Sequence, residues 1–126
     1  PDWSRGLGDV YKRQPLKIEK NKANLLGTPI ILAVICSPSI SSKIPKIEQI
    51  LSCGALCMNI LNNFLVKGWG ANWLTGWMAN DKKFGELAFN NTKNELVAGY
   101  IYVGSYEVIN PDRPRPSLDE KISYFK

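Results

Sequence analysis

The segment from about Lys46 to Lys67 constrains the fold of this chain more than any other. Ile47, Ile50, Leu51, Gly54, Ala55, Met58, Leu61, Phe64 and Leu65 recur at three- and four-residue steps, the period of an α-helix, and Leu56, Cys57 and Ile60 widen the stripe until the helix is apolar nearly all round. Such a helix must be covered deeply, either within its own domain or by a second copy of the chain. The small-residue patch Ser52, Cys53, Gly54 and Ala55 lets another helix come close. Lys67 and Gly68 then supply a cation at the C-terminal end of the helix dipole and a left-handed cap.

Strands flank this helix. Ile30 to Ile35 is apolar on both faces, the pattern of a strand covered on two sides by helices, and the Pro- and Ser-rich loop 37–42 ends it. Gly70 to Trp73 reads as a short strand. Asn80 or Asp81 is placed to cap a helix running to about Phe89, with Phe84, Leu87 and Ala88 facing inward. Leu96 to Val103 is β-branched or aromatic with one interior glycine, Gly99, and Gly104 closes it. Leu16 to Leu26 is loosely amphipathic and fits a short helix, Asn90-Asn91-Thr92 fits a turn, and Pro111 to Pro116 should be extended, because proline removes sheet donors. Residues 1–14 show neither periodicity. Their run Gly6-Leu7-Gly8-Asp9-Val10-Tyr11-Lys12-Arg13-Gln14 resembles translated adapter sequence, so 1–14 reads as a non-native or disordered leader and 15–126 as one partial α+β domain.

Composition narrows the function. A hydrophobic share of 44% with 21% charged residues is that of a globular domain. The net charge of +5 is spread over separated lysines without interleaved aromatics, which speaks against a nucleic-acid face. No histidine is present, so a Cys-His nucleophile pair is impossible and a metal site is not expected. The three cysteines, Cys36, Cys53 and Cys57, all sit in apolar stretches and read as buried thiols of a reducing cytoplasm. No apolar run is expected to reach the roughly 20 residues of a membrane-spanning helix.

One segment carries ligand chemistry. Ala71-Asn72-Trp73-Leu74-Thr75-Gly76-Trp77 offers an aromatic wall for a planar ring, a hydroxyl, an unobstructed backbone N–H and a glycine that admits close approach. A packed turn at a strand end has the same composition.

The order of four pieces carries a resemblance: the strand Pro29 to Cys36, the helix opening Lys43-Ile44-Pro45-Lys46-Ile47-Glu48-Gln49 with Ser52-Cys53-Gly54-Ala55, the turn Trp73-Leu74-Thr75-Gly76, and Val97 to Gly104 followed by Pro111-Asp112-Arg113-Pro114-Arg115-Pro116. In this order and spacing the chain resembles the nitroreductase superfamily of NAD(P)H-dependent, FMN-binding proteins, and within it the compact YdjA-like branch. The resemblance implies a nitroreductase-like fold, truncated, with a central sheet flanked by helices and a long buried dimer-core helix. It also implies an oxidoreductase that passes hydride from NADH or NADPH through FMN to an electrophilic acceptor such as a nitroaromatic, quinone or enal. No catalytic residue is expected, since the cofactor does the chemistry. Trp73, Leu74, Thr75 and Gly76 are the implied flavin-lining residues, and Arg113 and Arg115 are candidates for the phosphate, because guanidinium forks match phosphate oxygens. A stretch sometimes assigned to pyridine nucleotide corresponds to Asn63 to Gly68, where helix termination is the competing role. The implied partners are a second copy of the chain and the small-molecule acceptor, with no nucleic acid and no membrane, in the cytoplasm.

Two departures qualify the resemblance. Relatives begin with an Arg- and Ser-bearing segment that grips the phosphate, and nothing before Pro29 corresponds to it; relatives also carry Arg or Lys where this chain has Leu74. The alternative is therefore a catalytically silent, dimerising fragment without a complete flavin site.

Overall fold

The structure, a computed structural model, describes residues 18–20, 22–23 and 25–126, so the leader 1–14 lies outside the described residues. The elements are β1 (Ile30–Cys36), α1 (Lys46–Val66), β2 (Gly70–Leu74), α2 (Gly76–Asn80), α3 (Lys82–Phe89), β3 (Leu96–Gly104) and α4 (Leu118–Lys121). The strands form one antiparallel sheet in the order β1-β3-β2, which leaves the most continuous strand, β3, in the centre.

Register sorts the side chains between two layers. Leu32 and Val34 of β1, Ala71 and Trp73 of β2, and Ile101 and Val103 of β3 meet Cys57, Ile60 and Phe64 of α1 on one face. Ile31, Ala33, Ile35, Val97, Tyr100 and Tyr102 meet Met78, Ala79 and Phe84 of α2 and α3 on the other. The sheet has helices on both faces, but α2 packs chiefly on the central strand β3 and not on β1, whose helical cover is α1. A bulge interrupts the alternation: Val34 pairs with Gly99 and Ile35 with Val97, so Ala98 is the additional residue. The extra residue keeps both Val97 and Tyr100 on the α2/α3 face.

Helix ends follow their sequence signals. Gly68 adopts φ 86, and Gly68 and Trp69 donate to Leu65 and Phe64 carbonyls at 3.1 and 3.0 Å, closing α1 with a left-handed cap. Asp81 accepts from the Phe84 N–H at 2.9 Å and so caps α3, while Asn90 ends it at φ 57.

Three expectations are corrected. The only buried residue of α1 is Cys57; Leu51 is 63% exposed, and Ile47, Leu56, Met58, Leu65 and Val66 are exposed too. One stripe faces the sheet, and among the described residues no element reaches the opposite side. Leu87 and Ala88 of α3 are exposed, Leu87 at 80%, because Phe84 and Gly85 occupy the sheet-facing positions of this short helix. Finally, α1 has 21 residues and a mean hydropathy of 1.4, long and apolar enough by length and composition to cross a membrane. It packs against the sheet along one side, through Cys57, Ile60 and Phe64, and is otherwise exposed.

Candidate functional site: the β2–α2 turn

Trp73 and Leu74 are adjacent and so point to opposite faces of the sheet. Trp73 pairs with Ile101 and lies on the α1 face, where its ring reaches Gly54 and its indole N–H donates to the Ala98 carbonyl at 3.2 Å. That carbonyl belongs to the bulge residue, and the ring edge occupies the space over Gly99, where a Cβ would collide with the pyrrole side of Trp73. Trp73 is thus a strut that fixes the end of β2 against β3 and α1.

Leu74, at the end of β2, is exposed on the other side, and the chain turns there. Thr75 precedes α2 with φ −111 and makes no side-chain capping bond, so its hydroxyl is open to a ligand. Gly76 adopts φ 66, a conformation that an L side chain takes only with strain, and nothing lies within 4 Å of the position a Cβ would take. The Leu74-Thr75-Gly76 turn therefore presents a hydroxyl, backbone donors and an unobstructed approach, a donor set that fits the polar edge of a planar ring.

Aromatic packing holds the turn from behind. Trp77 meets Phe84 edge-on with ring centroids 5.3 Å apart, Phe84 meets Phe89 at 6.2 Å, and Phe89 meets Tyr100 at 6.3 Å. The Tyr100 hydroxyl donates to the Met78 carbonyl at 2.9 Å, tying α2 to the central strand. Burial, with Tyr102 next, raises the Tyr100 hydroxyl above its ordinary range and keeps it protonated as that donor.

The structure does not bring all candidate residues together. Arg113 and Arg115 are exposed on the extended tail after β3 and make no hydrogen bond or ion pair with the turn. Asn63 accepts the Lys67 N–H at 3.2 Å, and its side-chain amide donates to the Asn59 carbonyl at 2.8 Å, which is helix termination. Sequence reasoning missed α2, which a glycine opens and in which the Asn80 amide bonds back to the Gly76 carbonyl at 2.9 Å. It also missed Trp77 and Tyr100 as supports; the aromatic content around 77–100 was the available signal.

No family model matches the chain. It is 25% identical over 113 residues to the Escherichia coli (strain K12) protein whose name assigns it as an NAD(P)H nitroreductase, YdjA, across 86% of this chain and 59% of the relative. The same figures hold for YdjA of Escherichia coli O157:H7, at 25% identity, 86% and 59%. The chain therefore spans 59% of the length of these curated relatives. The crystal structure of a nitroreductase-like family protein from Bacillus cereus superimposes with a TM-score of 0.74 at 19% identity, over 94% of this chain and 60% of that one. The chain therefore has a nitroreductase-like fold, and its sequence likeness to the two YdjA relatives supports a place in the nitroreductase superfamily.

Proposed function

We propose that this protein is an FMN-dependent oxidoreductase of the nitroreductase type, taking hydride from NADH or NADPH and passing it to a nitroaromatic, quinone or enal. The observation that carries the reading is the exposed turn Leu74-Thr75-Gly76 in a chain of this fold. The flavin, when bound, supplies the acceptor and donor of hydride. The Thr75 hydroxyl and the N–H groups of the turn bond the polar edge of the ring, Gly76 leaves room for it, and Leu74 offers an apolar contact. Trp73, Trp77 and Tyr100 position the turn through the contacts described above. Arg113 and Arg115, exposed on the tail, are candidates for the phosphate.

The active form in this reading is a cytoplasmic homodimer. Ile47, Leu51, Met58 and Leu65 form an exposed apolar stripe on α1, and Val108, Ile109, Tyr124 and Phe125 are exposed on the tail, a surface that single soluble chains rarely leave in water. One observation favours the second reading, a catalytically silent dimerising fragment: the arginines lie on the exposed tail and make no bond to the turn.

A turnover assay separates the two. Purified chain supplied with FMN should oxidise NADH or NADPH with a nitroaromatic or quinone acceptor, and the acceptor should be reduced in step. A dimer that shows neither flavin absorbance nor acceptor-dependent oxidation supports the silent reading instead.

A further inference from the structure

The three cysteines converge away from the turn, where the end of β1 meets the first half of α1. Cys36, the last residue of β1, is 1% exposed, and its thiol lies 4.0 Å from the Gln49 carbonyl. Cys53 lies one helical turn beyond Gln49 and faces the same cavity as Cys36. Cys57, a further turn along, is fully buried among Val34, Ile101 and Val103. Only Cys53 is accessible. Together with Cys36, Ile44, Gln49 and Ser52 it lines a cavity of about 380 Å³ between α1 and the loop 37–45.

Gln49 keeps that cavity in shape. Its side-chain Oε1 accepts the Ser39 N–H at 2.7 Å, and its side-chain Nε2 donates to the Ser39 and Ile44 backbone carbonyls at 3.3 and 2.9 Å. The loop is thereby fixed to α1 beside the two thiols. Cys53 is also well away from the apolar stripe of α1: it follows Leu51 by two residues, about 200° round the helix.

We propose that Cys36 and Cys53 are a thiol pair that a small hydroperoxide entering this cavity oxidises to an intramolecular disulfide, with Cys53 attacked first and Cys36 resolving it. In the first step the Cys53 sulfur bonds to one peroxide oxygen, the O–O bond breaks, and the other oxygen leaves as water, giving Cys53 sulfenic acid. In the second, the Cys36 sulfur displaces that hydroxyl, the S–O bond breaks, and the Cys36 proton leaves with it as a second water. Two thiols and one hydrogen peroxide give one disulfide and two waters. Burial first, then the neighbouring Cys53 side chain, pushes the Cys36 thiol up to about 11, so Cys36 keeps the proton that the second step releases. The two side chains line one cavity, and bond formation requires them to reach disulfide geometry there.

The test is a stepwise hydrogen peroxide titration of the reduced, purified chain. Remaining thiols are counted by maleimide mass shift, and peptide mapping with fragmentation between Cys53 and Cys57 locates any bond. The expected result is loss of two thiols per chain as a Cys36–Cys53 disulfide within one chain, restored by dithiothreitol. In Cys36→Ala, dimedone should instead trap a sulfenic acid on Cys53; if that variant does not fold, the map of the unaltered chain decides alone. A Cys53–Cys57 bond, a bond between chains, or Cys53 running on to sulfinic acid while Cys36 stays alkylatable overturns the proposal. None of these outcomes depends on flavin binding.

Discussion

Replacing Gly99 with alanine tests whether Trp73 is a strut of the fold. Considered as a strand position alone, Gly99→Ala should stabilise by about 0.5–1 kcal/mol, because glycine loses more backbone freedom on folding. The structure reverses the sign. A methyl at Gly99 falls on the pyrrole side of Trp73, and the Leu74 carbonyl stands 3.3 Å from the same point, so the ring cannot stay seated. Overpacking of this kind costs about 1–3 kcal/mol, and displacement of the indole forfeits its bond to the Ala98 carbonyl, worth about 1 kcal/mol. The net expectation is about 2 kcal/mol of destabilisation, a fall of roughly 1 M in the urea midpoint for a slope of about 2 kcal/mol/M. Trp73→Phe removes the pyrrole side, so Gly99→Ala added to that background should cost less than about 0.5 kcal/mol, a coupling of more than about 1 kcal/mol between the sites. Urea unfolding of the four proteins by circular dichroism measures it. Equal costs of Gly99→Ala in both backgrounds would refute the reasoning and release Trp73 for another role.

Other perturbations have defined outcomes. Asp81→Ala removes the cap bond to Phe84 and should lower stability by about 1 kcal/mol; an unchanged urea midpoint would mean that solvent replaces the cap at no cost. The raised pKa of Cys36, from 9.0 to about 11, and the raised pKa of Cys57 mean that the folded state holds these protons more tightly than the unfolded chain. Stability from them is fully present below pH 9.0 and is lost as pH rises toward about 11. Urea midpoints should fall across that window, and less steeply in Cys36→Ala; identical slopes would remove Cys36 as a cause. Leu51→Glu puts a charge on the exposed stripe of α1, where a buried leucine contributes about 1.5–3 kcal/mol, and should weaken self-association at least tenfold by sedimentation. A variant that dimerises as before would place the interface elsewhere.

Local signals made most of the fold legible. The period of residues 46–67, the Gly68 cap, the aspartate before α3 and the bulky run around Leu96 to Val103 each act within a few residues of the structure they determine. What escaped depends on partners distant in sequence. The bulge at Ala98 exists because Val97 and Tyr100 must share a face, and nothing local in the alanine announces it. An all-round apolar helix shows that covering is required but not that the described residues cover only the stripe through Cys57, Ile60 and Phe64. The candidate site divides in the same way. The positive φ at Gly76 follows from the residue type, whereas the opposite facing of Trp73 and Leu74 follows from strand register. The cysteines read as uniformly buried, yet Cys53 is half-exposed because it borders the cavity beside the loop 37–45.

The most direct measurement of the flavin reading is an FMN titration of the purified chain beside Thr75→Pro, followed by flavin fluorescence, with oligomeric state and circular dichroism recorded on the same samples. Proline deletes the N–H and the hydroxyl at the turn while leaving the helices α1 and α3 untouched. The account predicts saturable quenching by the unaltered dimer and its loss in Thr75→Pro at unchanged helix content. Saturable binding of equal affinity in both proteins, or a folded dimer that binds no FMN, would contradict it.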